Sequence, residues 1–337
     1  MKVQNNSRNS FTGALNNKYL LKGLEKVSEH GTSFAAGTSL LMSLSVRPLS
    51  IHLTPKTEKE NKQYASANSI CSGLMKFAVV EAIALPLENA VKKIDKNPTK
   101  YLKATTIQNL QGNADNLSKS RSYKFATQIL KLSAGFVSAV PKSMLTVALI
   151  PVVMDALFKS YNEKNKELSE KPIPRNGMTF TGGGNEIVPK AVGKILDWEW
   201  LQKIVNKYQK DDKNIAKHIT ATTDILLTGL SAHQINSSSK IKENRKKALI
   251  YNNIISTGIT LAGGYAIDKA IKAKTAKFIE KFSLANKGNP KLPKYIEGIN
   301  IVRPALIFAG IYYGILPIFS TYLAERVDKT VENRKIT

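Results

Sequence analysis

Five charged residues, Lys76, Glu81, Lys142, Asp155 and Asp268, lie inside or at the edge of stretches that otherwise carry no charge. A charge at bilayer depth costs roughly 2.5–3.5 kcal/mol on insertion scales, so such a residue tends to face a cavity and to pair. The chemistry they could perform is to line a path for an ion or a small solute, with Glu81 and Lys142 as the natural pair. The plainer reading makes them the polar face of amphipathic helices, with lysine stems lying along apolar surface and heads in solvent. Other groupings carry less. The run Gly182-Gly183-Gly184-Asn185 could turn backbone amides toward a phosphate, but it lacks the Lys and Ser/Thr that complete a P-loop. His30, His52, His218 and His233 show no metal-ligand spacing, such as a pair at i and i+4. No serine sits in a nucleophile elbow, and the carboxylates are scattered. No enzymatic activity, cofactor or metal is expected.

The elements that must position these residues are helical. The apolar blocks are too long for strands, and period-two alternation is scarce. Two blocks, Ala248 to Ile267 and Pro304 to Ala324, hold no charged residue over 20 and 21 positions. That length suffices for a spanning helix, which needs about 20 residues at 1.5 Å rise each. The first, second and fourth blocks, with 12 to 16 uncharged residues, suit a buried or interfacial helix better. Pro86, Pro151 and Pro317 fall inside blocks, where each removes an amide donor and is expected to break or kink a helix. Asn97 before Pro98, and Asp224 before Ile225-Leu226-Leu227, read as helix starts.

The chain repeats itself. Phe11-Thr12-Gly13 recurs as Phe180-Thr181-Gly182, and Lys59-Glu60-Asn61-Lys62 as Lys242-Glu243-Asn244-Arg245. Leu87-Glu88-Asn89-Ala90-Val91-Lys92 is echoed by Ile267-Asp268-Lys269-Ala270-Ile271-Lys272, and each half ends on a block with two prolines, Pro141 and Pro151 or Pro304 and Pro317. Features in one order twice over imply a tandem duplication of a three-block helical unit, 10–165 and 178–330. A polar leader (1–9), a linker (166–177) and a polar tail (331–337) complete the organisation.

Early in the second copy the segment Pro189 to Tyr208 stands apart. Val192, Ile195, Trp198, Leu201, Val205 and Tyr208 recur at steps of three and four, bordered by Lys190, Lys194, Trp200, Lys203 and Lys207. Such a stripe fits a helix lying in a lipid interface, or equally one packed on its own domain core.

Composition narrows the partners. The 337 residues hold 50 Lys and Arg against 25 Asp and Glu, a net charge of +25. Anionic lipid accounts for this at about 1 kcal/mol per basic residue near the surface; an acidic protein partner is the other candidate. Nucleic acid is disfavoured, because the basic residues form no dense patch interleaved with aromatics. Cys71 is the one cysteine, so no internal disulfide forms. Residues 1 to 10 lack an apolar core, so no cleaved signal peptide is expected. If all six blocks spanned in alternation, the two sides would carry 23 and 25 basic residues, whereas spanning proteins show a marked bias. Blocks entering and leaving on one face, inverted repeats, or core helices of a soluble bundle would each explain that balance.

The short polar leader ending in Phe11-Thr12-Gly13, with its echo at Phe180-Thr181-Gly182, resembles the openings of uncharacterised helical proteins from gut bacteria related to cyanobacteria. The resemblance implies a bacterial cell. Six blocks and Pro86-Leu87-Glu88 also resemble mitochondrial carriers, but those have three copies of two helices. The expectation is an all-α, internally duplicated protein in or on a bacterial inner membrane. Its expected role is that of a scaffold or anchor, with two alternatives: a secondary transporter of two inverted three-helix repeats, and a soluble helical partner-binding protein.

Overall fold

In a computed structural model, residues 15–55, 59–148, 186–208, 212–238 and 243–318 are described. Among them every regular element is helical and no strand occurs, as the block lengths require. The helices are α1 (Lys18–Glu29), α2 (Gly31–Leu44), α3 (Val46–Leu53), α4 (Lys59–Lys96), α5 (Pro98–Tyr101), α6 (Ala104–Gln111), α7 (Arg121–Ala148), α8 (Ile187–Leu196), α9 (Glu199–Tyr208), α10 (Asp212–Ser237), α11 (Glu243–Ala285) and α12 (Leu292–Ala309). A π-helical stretch, Gly310–Ile315, prolongs α12.

The long helices form one bundle. Helix α4 runs antiparallel to α2, since Glu88 meets Thr32 at one end and Ser69 meets Ser43 at the other. Helix α11 runs antiparallel to α10, joined by Lys217–Asp268 at one level and Thr228–Thr257 at another. The halves then interlock reciprocally. Helix α7, the third of the first half, lies parallel to α10, the first of the second half; Gly135 abuts Thr223, and Ser143 donates to Gln234 at 2.6 Å. Helix α12, the third of the second half, lies parallel to α1–α3, with Ser28 donating to Glu297 at 2.7 Å and Gly314 beside Val46. Leu132, Ala216, Ile219 and Ile301 share one apolar cluster beside Gly31, which sets the common level. The opening helices of both halves therefore descend in the same sense. In the inverted relationship that was among the expectations, the opening helices of the two halves would run in opposite senses.

One end of the bundle is a packed head. The C-terminal part of α4, α5, α6, the start of α7, α8 and α9 enclose Val91, Ile94, Leu110, Tyr123, Leu196 and Val205, each at most 2% exposed. Beside it Leu24, Phe282, Tyr295 and Ile299 clamp α1 to α11 and α12. Gly193 lets α8 rest directly on the Tyr101 carbonyl, and Gly298 lets α12 rest on that of Leu24; a β-carbon at either place would collide. Both clusters, and the one at Leu132, join residues of the two halves. Glu29 fastens the head further, paired with Lys92 and Lys294 at 3.0 Å each. Burial alone would raise the Glu29 carboxyl, but those two lysines outweigh it and hold it at about 2.

The other end is built inside out. Leu41, Leu49, Leu53, Leu74, Val137, Met144, Ile225, Tyr251, Ile255 and Leu306 point outward and are exposed, while hydroxyls, amides and charges share the interior with Phe77, Val80, Leu227 and Phe308. Among the described residues three helices are long and apolar enough to cross a membrane, Gly31–Leu53, Ala65–Lys96 and Leu292–Ile318, and only 28%, 17% and 39% of their most apolar windows is buried. This reverses part of the expected ranking. The first block lengthens because α2 and α3 abut at Ser45. The second embeds its charges within 32 residues. The fifth block, Ala248 to Ile267, lies in the 43-residue α11 but is not among the three. It is uncharged without being apolar, because Asn252, Asn253, Ser256, Thr257 and Thr260 face the interior.

Candidate functional site

The polar interior opens into a cavity of about 340 Å³ at the contact between the halves, lined from α2, α3, α4, α7, α10, α11 and α12. Lys76 from α4 and Lys142 from α7 both face it, as two members of the expected polar path. Their partner is not the expected one. Asp224 of α10 is the carboxylate that acts on both lysines. Glu81 lies off that cluster: its Oε2 accepts from Ser33 Oγ at 3.1 Å, and Oε1 is buried without a hydrogen bond. One helical step explains the error. Antiparallel packing of α4 on α7 brings position 76, not 81, to the level of Lys142. Asp224 is also no helix start, for it lies in the middle of α10 (Asp212–Ser237); Asn97 does precede α5 as expected.

Arg47 from α3 and Tyr312 from the π-helical stretch complete the cluster. The Arg47 guanidinium carbon stands 5.5 Å from the centre of the Tyr312 ring, and Lys76 and Asp224 act on that phenol electrostatically. The wide π turn precedes Pro317, which has no amide proton to offer the Tyr313 carbonyl; a looser turn at this point turns Tyr312 and Tyr313 into the cavity. Pro317 thus does mark an irregular helix. Pro86 does not: α4 runs unbroken from Lys59 to Lys96 through it. Pro151 and Asp155 lie outside the described residues, as do both Phe-Thr-Gly motifs and the Gly182–Asn185 run.

Nearer the head two buried carboxylates occupy matching places in the halves. Glu88 is fully buried and accepts from the Thr32 and Ser33 amides at 3.1 and 3.2 Å, so it caps α2 from a neighbouring helix. Its Oε2 also meets His30 Nδ1 at 2.7 Å, and His30 Nε2 meets Lys92 Nζ at 2.7 Å. An ammonium can only donate, so Nε2 accepts and Nδ1 carries the ring proton. Asp268 instead pairs with Lys217 at 2.6 Å and Arg303 at 2.9 Å, while the adjacent His218 Nδ1 meets the Tyr265 hydroxyl at 2.9 Å. Asp268 is therefore a structural ion pair above the cavity and does not line it.

The expected interface helix is two helices, α8 and α9, with the turn at Asp197–Trp198. Most of its apolar stripe packs internally, with Val192, Leu201 and Val205 buried in the head while Trp198 and Tyr208 stay exposed; of the two expected arrangements, packing on the domain core is the one found. Lys190, Lys194, Lys203 and Lys207 border the buried face, and Lys207 Nζ stands 5.2 Å from the Tyr208 ring centre. Trp198 and Trp200 remain 48% and 56% exposed, tilted against each other with centroids 5.7 Å apart.

Among the described residues no group of three His, Cys, Asp or Glu side chains could hold a metal ion. Arg47, Asp224 and Tyr312 were not singled out as site residues by sequence reasoning. The available signal was Asp224, alone in the otherwise uncharged stretch 218–237 of α10, opposite Lys142, alone in the otherwise uncharged stretch 132–148 of α7. No family model, no curated protein and no solved structure matches the chain.

Proposed function

We propose that the chain is an integral protein of a bacterial inner membrane, built from two diverged copies of a three-helix unit, with a scaffold or anchor role. The observation that carries this reading is the outward-facing apolar surface of three helices long enough to span. In water such an apolar exterior is unfavourable at about 25 cal/mol per Å², whereas acyl chains solvate it. The segment from Gly31 to Leu53 rises about 33 Å at 1.5 Å per residue, close to the hydrocarbon thickness of about 30 Å. The copies are supported by the matching carboxylates Glu88 and Asp268 and by the reciprocal packing of third helix on first.

The head supplies the anchoring surface. Residues 89–131 and 269–303 lie at this same end and hold nine Lys and Arg each, and α8 and α9 join them there. The near-equal charge count vanishes once these stretches share a side. A basic end of this kind belongs on the cytoplasmic face, where it meets anionic lipid or an acidic protein. Trp198 and Trp200 offer it an aromatic contact. A second reading, a secondary transporter of two parallel repeats, is favoured by the cavity between the halves.

Extraction tests the membrane reading. The protein is expected to stay in the pellet through alkaline carbonate and to be released by a maltoside detergent. Release by carbonate, with a monodisperse particle in detergent-free buffer, overturns it.

A further inference from the structure

We infer that the cavity between the halves is a binding site for a solute carrying a phosphate group, held by Arg47, Lys76 and Lys142. Three cations from three different helices converge on one space, and among the described residues that line it Asp224 is the one carboxylate. Lys76 and Lys142 repel each other across it. Gathering like charges inside a bundle whose walls turn apolar side chains outward is costly, because low-polarity surroundings strengthen every repulsion. Among the described lining residues one carboxylate stands against three cations. An entering dianion would offset the remaining positive charge.

The remainder of the lining fits the rest of such a ligand. Thr260 is 3% exposed, lines the cavity, and its hydroxyl has no hydrogen-bond partner in the protein. A buried hydroxyl so placed is destabilising unless something in the cavity engages it. Asn253 and Tyr312 add donors and acceptors on either side. The volume, about 340 Å³, falls in the range of small-molecule sites. A guanidinium with two ammonium groups favours a phosphate, which accepts several charge-assisted hydrogen bonds at once. A metal cation would be repelled. The phosphate can belong to a free solute or to a lipid headgroup, since both carry the same chemistry.

The site is independent of the membrane reading, because the charges converge whatever surrounds the bundle. Two probes of like chemistry separate the sources. The full chain in maltoside is titrated calorimetrically with glycerol 3-phosphate. In parallel it is placed in nanodiscs of phosphatidylcholine with or without phosphatidylglycerol, and the lipid retained on release is identified by native mass spectrometry. Saturable glycerol 3-phosphate binding indicates a free solute; selective retention of phosphatidylglycerol indicates a headgroup. Lys76→Met is expected to weaken whichever binding occurs by tenfold or more while leaving Lys142 beside Asp224. Lys142→Met should act alike, and Lys272→Met on the head should leave affinity within twofold. Thermal unfolding without ligand guards against misfolding: Lys76→Met should unfold at the parent temperature or above, because a repulsion is gone, yet lose the stabilisation that the ligand gives the parent. Absence of binding from both probes overturns the inference, as does a Lys76→Met protein that binds as the parent does. An integral protein that binds neither probe would leave the membrane reading standing alone.

Discussion

Glu88 shows how much one side chain can hold in this bundle. It is fully buried, caps the amides of Thr32 and Ser33, receives the Ser33 hydroxyl at 3.0 Å, and orients His30 against Lys92. Truncation would leave two helix amides without an acceptor, at about 1–3 kcal/mol each. Glu88→Ala is therefore expected to lower the thermal unfolding midpoint in detergent by several degrees. Glu88→Gln, which retains an amide acceptor, should lose less. Equal midpoints for Glu88→Ala and the parent would show that the cap contributes nothing. The sequence singled out this residue as half of a repeated hexapeptide, but not as a cap, because Thr32 and Glu88 are far apart in the chain and only antiparallel packing joins them. The same limit hid Asp224: its partner Lys142 comes from the other half. Charges in apolar blocks were legible; their pairing was a property of helix register.

Helical class was the most readable level, since apolar blocks of this size have few alternatives to α-helix. Where the reading failed, a charge tally had stood in for side-chain chemistry. Ala248–Ile267 looked oily because it lacks ions, yet its asparagines, serines and threonines make it the polar wall of the cavity. Residues 189–208 looked like one amphipathic stripe, yet a turn at Asp197–Trp198 folds it onto the head. That docking depends on a glycine. Gly193 meets the Tyr101 carbonyl so closely that a methyl group cannot enter without moving α8 or α5. Gly298 does the same for α12 on α1. Overpacking of this kind typically costs about 1–3 kcal/mol. Gly193→Ala and Gly298→Ala should each lower the unfolding midpoint by a few degrees, whereas Gly258→Ala, with open space round its Cβ, should lower it little or raise it through helix propensity. Calorimetry of the three proteins checks the order; a Gly258→Ala protein as unstable as the other two would refute it.

At the scale of the whole molecule, the direction of the helices decides which alternatives survive. Alternating spans predicted balanced basic loops and so argued against a spanning bundle. In the folded chain, 89–131, 186–208 and 269–303 gather at the head, while the α3–α4 and α10–α11 connections lie at the opposite end. Among the described residues, the basic residues are thus concentrated at the head, and under the membrane proposal that is the imbalance that would orient the chain. The opening helices of the two halves descend in the same sense, which under the proposed duplication would be the parallel form of internal symmetry. Such an arrangement makes one sided prediction. With Cys71 replaced by serine, a cysteine at Lys287 in the α11–α12 connection of the head should react with a membrane-impermeant maleimide only after the inner membrane is opened. A cysteine at Lys62, at the other end of α4, should react in intact spheroplasts. Reaction of both from the same side would mean that the long helices do not cross, and the bundle would then be attached by one face. Reaction in the reverse order would keep the crossing but turn the basic head outward, against the expected pull of the cytoplasmic leaflet on its lysines.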